Sequence, residues 1–118
     1  MTPKALQSCT RRWQRMLGLQ DWTIRVSYVR RASIDGAWGR TSWDLNHRHA
    51  VVQIADPIDV PEEEVEFWGP ELTVVHELVH VVLAWCVTTD STEETLLEQA
   101  VNALASGLLG STSERQNK

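Results

Sequence analysis

The sequence has no apolar run of the roughly 20 residues needed to cross a bilayer, so no transmembrane helix and no membrane partner are expected. Cysteine is scarce. Cys9 and Cys86 are too few for the disulfide framework of a small secreted domain, and each falls in an apolar helical pattern, so both are expected as buried free thiols. Basic charge is in deficit. Eleven Lys and Arg stand against 16 Asp and Glu, for a formal net charge of −5. A general nucleic-acid binder needs a basic surface and is excluded on that ground. Arg11, Arg12 and Arg15 cluster locally, as the solvated face of a helix would. No basic segment followed by an apolar run opens the chain, so a cytoplasmic location is expected. Nor is there an internal repeat or a second domain. The expectation is one domain over residues 1–110 and a flexible polar tail over 111–118.

What is present is a 42% hydrophobic chain of 118 residues with six Trp as large apolar anchors. Thr2-Pro3 predicts a helix start, a hydroxyl cap followed by proline at the first helical position. Leu6, Cys9, Trp13, Met16 and Leu17 share one face of a helix over about 3–17, and Gly18 stops it. "WTIRVSYVR" (22–30) alternates as a half-buried strand. "AWGRTSWDL" (37–45) is a weaker strand, in which Gly39 signals a bulge or a close backbone approach. "HAVVQIA" (49–55) is a third strand, joined to the second by a hairpin at "DLNHRH". Three strands on short loops predict a mostly antiparallel meander.

A short helix capped by Asp59 is expected at "DVPEEEVEFWGP", ended by Gly69-Pro70. The next helix, 71–86, is apolar nearly all round and should be deeply buried. After a loop at 87–91, Ser91 and Glu94 fit a capping box opening a last helix over about 92–109. Leu97, Val101, Leu104 and Leu108 form its expected core stripe. The fold class is α+β: an N-terminal helix, a three-stranded sheet, a buried helix and a C-terminal helix.

The buried helix contains "VVHELVHVV" (74–82), with three polar groups where unpaired ones are costly. His76 and His80 are one turn apart on one face, with Cβ atoms about 6 Å apart, so two imidazoles can hold one metal ion. Glu77 points about 100° away. It is poorly placed as a ligand but well placed to reach a metal-bound water. This is the logic of H-E-x-x-H: two zinc ligands and a general base. The alternative is a buried His/Glu hydrogen-bond cluster without metal.

A catalytic zinc takes a third protein ligand and leaves a fourth position open for water. Asp90, Glu93, Glu94, Glu98, His47 and His49 are candidates. His80 lies about six residues, or about 9 Å, before the expected end of its helix. An antiparallel return brings the sixth residue of the next helix to the same depth. Counting from Thr92 gives Glu98, whereas Glu93 and Glu94 fall about 6 Å too near the loop. Asn102, one turn beyond Glu98, is placed to orient a ligand histidine through its second nitrogen.

"VVHELVHVVLAW" followed by "EETLLEQAVNALASGLL" resembles gluzincin-type zinc metallopeptidases. The likeness is greatest to minimal ones, including small phage- and prophage-encoded proteins. It extends to the H-E-x-x-H domains of mobile-element regulators, which carry a downstream Glu-x-x-Ala-Asn-like helix. The motif-bearing match covers about residues 70–110. The resemblance implies zinc on His76, His80 and Glu98, Glu77 as base, and a bacterial or phage-infected cell as the setting. Larger gluzincins place an Asp where this chain has Asn102.

The expected activity is zinc-dependent peptide-bond hydrolysis with one Zn2+ and a peptide or protein substrate. Tyr28, His47, Arg48 and His49 are candidate oxyanion donors, none of them singled out. The third strand is the expected exposed edge above the metal, where a peptide would add. Two other readings share the motif: a regulatory or assembly protein on the same zinc scaffold, and a structural metal domain. The second of these has no use for Glu77.

Overall fold

Thr2 accepts a hydrogen bond from the Ala5 amide through its hydroxyl at 3.1 Å, and Pro3 supplies the first helical residue. Helix α1 accordingly spans Pro3–Met16 in the computed structural model, which describes residues 1–64, 69–84 and 91–116 and no side chains within 91–97 and 111–116. Its buried stripe is Leu6, Cys9, Thr10 and Trp13. The chain leaves through Gly18 at φ 72°, a conformation that glycine adopts without a Cβ penalty. The Gln14 amide then ties the turn down, donating to the carbonyls of Leu19 and Trp22.

The three strands are β1 (Thr23–Val29), β2 (Gly39–Asp44) and β3 (His49–Ala55). Their order is β1-β3-β2, with β3 parallel to β1 and antiparallel to β2. This corrects the expected meander: the sheet is mixed. The β2–β3 connection is short and closes a hairpin. The β1–β2 connection is longer and contains a 3-10 turn at Arg31–Ile34, whose Ile34 is fully buried. It carries the chain past the place beside β1, and β3 takes that place. β3 brings Ala50, Val52, Ile54 and Ala55 into the core, so the most apolar strand lies in the middle. Period-two alternation leaves Arg25, Ser27, Arg40, Ser42, Asp44 and His49 on the outer face.

The segment after β3 also differs from expectation. Two 3-10 turns, Pro57–Asp59 and Glu62–Glu64, stand where a short helix is predicted; residues 65–68 lie outside the described ones. Asp56, not Asp59, is the cap and accepts from the Ile58 amide. Asp59 is engaged elsewhere, accepting from Nε and Nη2 of Arg30 and from the Arg31 amide.

Gly69 and Pro70 open helix α2 (Pro70–Val82) as the sequence predicts, though it ends four residues earlier than expected. Val74, Val75, Leu78, Val79 and Val81 are buried, because α2 contacts α1, β2, β3 and the last helix, α3 (Ser91–Gln116). Trp13, fully buried, donates its indole N–H to Glu71 at 3.0 Å and locks α1 to the first turn of α2. The expected capping box at Ser91 and Glu94 and the residue Cys86 lie outside the described side chains, while Cys9 is a buried free thiol.

Helix α3 continues to Gln116 instead of ending near residue 109. Among its described side chains Val101 and Ala105 are buried, with Leu108 and Leu109 packed at the core margin; Leu104, expected inside, is 49% exposed. No helix among the described residues is long and apolar enough to cross a membrane.

Candidate metal centre

A buried helix fixes the backbone of His76, Glu77 and His80, and their side chains leave it in two directions. His76 and His80 turn toward α3, with ring centroids 5.1 Å apart. Nε2 of His76 lies 2.8 Å from one carboxylate oxygen of Glu98, and Nε2 of His80 lies 3.0 Å from the other. The three donor atoms fall within 4.8 Å of one another, a group that could hold a metal ion. Glu98 joins two helices that are separate in sequence, and its carboxylate is 46% exposed, so the group is open to solvent on that side.

Glu77 faces the sheet. Its side chain is 6% exposed, and Oε1 accepts the Thr41 hydroxyl at 2.8 Å. Oε2 lies 3.7 Å from Nε2 of His76. Burial pushes the Glu77 carboxyl above the usual carboxylate range; the Thr41 hydrogen bond and the two imidazoles oppose that shift. The carboxylate therefore sits beside the donor group without being one of its three members, as the 100° rotation along the helix requires.

His76, Glu77 and Glu98 open onto a cleft of about 260 Å³. Trp38 and Gly39 border it from the β2 side, Leu72 and Thr73 from α2, and Asn102, Ala105 and Ser106 from α3. The strand beside the site is thus β2, an edge strand. β3, the expected edge, is the central strand.

Asn102 lines the cleft and is exposed; among the described residues no hydrogen bond joins it to either imidazole. His47, Arg48 and His49 lie at the far end of the β2–β3 hairpin. His47 pairs with Asp44 at 2.7 Å, and Arg48 pairs with Asp21. Tyr28 donates to the Met1 carbonyl. None of the four borders the cleft. Asp90 and the side chains of Glu93 and Glu94 lie outside the described residues.

Thr41 is the site residue that sequence reasoning does not single out. A signal exists: Gly39 marks a close approach, and Thr41 is on the same face of the strand two residues later. No protein-family model, curated protein or solved structure matches this chain.

Proposed function

We propose that the chain is a zinc-dependent peptidase, with zinc held by His76, His80 and Glu98 and with Glu77 as general base. One observation carries the reading: two imidazole nitrogens and a carboxylate converge while a second, buried carboxylate stands beside them uncommitted to the group. Two nitrogens and one carboxylate are a donor set zinc accepts, and three protein ligands leave a position for water. Tetrahedral bonds of about 2.0–2.1 Å place ligand atoms about 3.3 Å apart. The imidazole nitrogens stand 2.8 and 3.0 Å from the two different oxygens of the exposed Glu98 carboxylate, so outward motion of that side chain would open room for an ion between the three groups.

Bound there, zinc would bring the pKa of its water toward neutrality and polarise a substrate carbonyl. The chain's own residues supply the rest. Glu77 takes a proton from the attacking water and delivers it to the departing amine. Among the described residues β2 pairs with a strand on one side alone, so peptide backbone could add to its other edge beside the cleft.

Zinc analysis and a cleavage profile on a proteome-derived peptide mixture test the reading together. Wild type and Glu77→Gln should each hold one zinc, and Glu77→Gln should lose cleavage by about 10²- to 10⁴-fold. Glu98→Ala should lose most of its zinc. Unchanged zinc in Glu98→Ala removes the ligand assignment. Cleavage by Glu77→Gln at the wild-type rate removes the base. Zinc without cleavage in any protein favours the regulatory scaffold reading.

A further inference from the structure

Two residues of β2 build the slot in which Glu77 lies. A Cβ at Gly39 would stand 3.1 and 3.2 Å from Cγ and Cδ of Glu77, closer than ordinary van der Waals contact, so glycine leaves the room in which the side chain lies flat against the strand. Thr41, the next residue on that face, gives its hydroxyl to Oε1 at 2.8 Å and lies 3.4 Å from the Glu77 carbonyl. The two carboxylate oxygens therefore differ. Oε1 is held by the strand, and Oε2 is turned toward His76 at 3.7 Å.

We propose that Thr41 is a positioning residue for Glu77: its hydroxyl fixes the carboxylate plane so that Oε2, and not Oε1, faces the water site beside His76. The catalytic consequence rests on the peptidase reading, whereas the positioning itself rests on geometry alone. A free carboxylate rotates about its last torsion, whose preference is broad. One hydrogen bond from a β-branched residue on a paired strand removes that freedom, because the χ1 of threonine is itself stiff. The rate of a proton transfer depends on this alignment, and misplacing a reacting group by about 1 Å can cost about a hundredfold. The strand that borders the cleft thus also aims the base.

The test compares Thr41→Val, which keeps the shape and removes the hydroxyl, with Thr41→Ser, which keeps the hydroxyl. Thr41→Ala repeats the first arm if the valine variant does not fold. All are full-length and zinc-loaded. Crystal structures read the Glu77 carboxylate directly, and kinetics on the best-cleaved peptide of the proteome-derived mixture read the consequence. In Thr41→Val the carboxylate plane should rotate and zinc affinity should hold. kcat should fall about ten- to a hundredfold with KM little changed. Thr41→Ser should recover most of that loss and restore the plane. An unmoved Glu77 in Thr41→Val, or a serine variant as impaired as the valine one, overturns the proposal. If wild type cleaves no peptide, the peptidase reading fails, and the crystallographic arm still decides the positioning.

Discussion

Gly39 shows how much one missing methyl group can decide. A Cβ at this position would come within 2.9 Å of Thr73 Cγ2 and 3.1 Å of Glu77 Cγ, in a region closed by β2 on one side and α2 on the other. Neither neighbour can give way cheaply, since Thr73 is buried and Glu77 is only 4% exposed. Gly39→Ala should therefore destabilise the protein by about 1–3 kcal/mol, the usual cost of overpacking. Gly107 is the control: it lies inside α3 with nothing within 4 Å of a built Cβ, so Gly107→Ala should be neutral or stabilising by up to about 1 kcal/mol. Urea unfolding of both variants settles the comparison, and a Gly39→Ala protein as stable as wild type would sink the packing argument. At this scale the sequence is most legible where residue spacing matches the helix repeat. His76 and His80 fall on one face because four residues make about one turn. Thr41 is less legible, because a threonine in a strand has nothing in its own sequence to name its partner 36 residues away.

Helix α3 shows what amphipathic pattern does and does not fix. Leu97, Val101, Leu104 and Leu108 make the obvious stripe, but among the described side chains Val101 and Ala105 are the buried ones. At about 100° per residue, Glu98 and Leu104 lie about 60° to either side of Val101. A helix turned to bring Glu98 to the histidines turns Leu104 out to solvent. Leu104→Gln should then change stability by no more than about 0.5 kcal/mol, as exposed substitutions do. Val101→Ala, which opens a void under a fully buried side chain, should cost about 1–3 kcal/mol. A Leu104→Gln protein as unstable as Val101→Ala in the same denaturant series would place Leu104 in the core after all. The depth of Glu98 below the loop is counted from an α2 that runs to residue 86, yet α2 ends at Val82. Packing direction alone does not make the choice: by the helix repeat Glu94 falls about 20° from Val101 and Glu98 about 60°, and it is the position along the helix that brings Glu98 beside both histidines.

Over the whole molecule, long-range polar ties close what the strands leave open. Asp59, between β3 and α2, clamps the end of β1 by a bidentate pair with Arg30 and a bond from the Arg31 amide. The Arg30 hydrogen bonds, helped by the Arg31 amide, lower its pKa from 3.8 to about 2. A depressed carboxylate pKa contributes stability above its unfolded value and loses it as pH falls through the folded one. Wild type should therefore exceed Asp59→Asn in stability by a constant margin above pH 3.8, and that margin should shrink toward zero as pH approaches about 2. A margin that does not change between those pH values, in melts followed by circular dichroism, would show that the charge of Asp59 adds nothing.

The sequence by itself determined the secondary elements that carry strong periodicity, the α+β class, and the turn of helix that bears His76, Glu77 and His80. These are local consequences of side-chain spacing and capping, set within one or two turns of chain. Tertiary structure alone decided the rest. Strand order is one such feature, because which strand occupies the centre depends on competition for burial among segments far apart in sequence. The rotation of α3 is another, because four leucine and valine positions leave its azimuth free within about one residue's width. The third is the Gly39–Thr41 slot for Glu77, which exists only once β2 lies against α2.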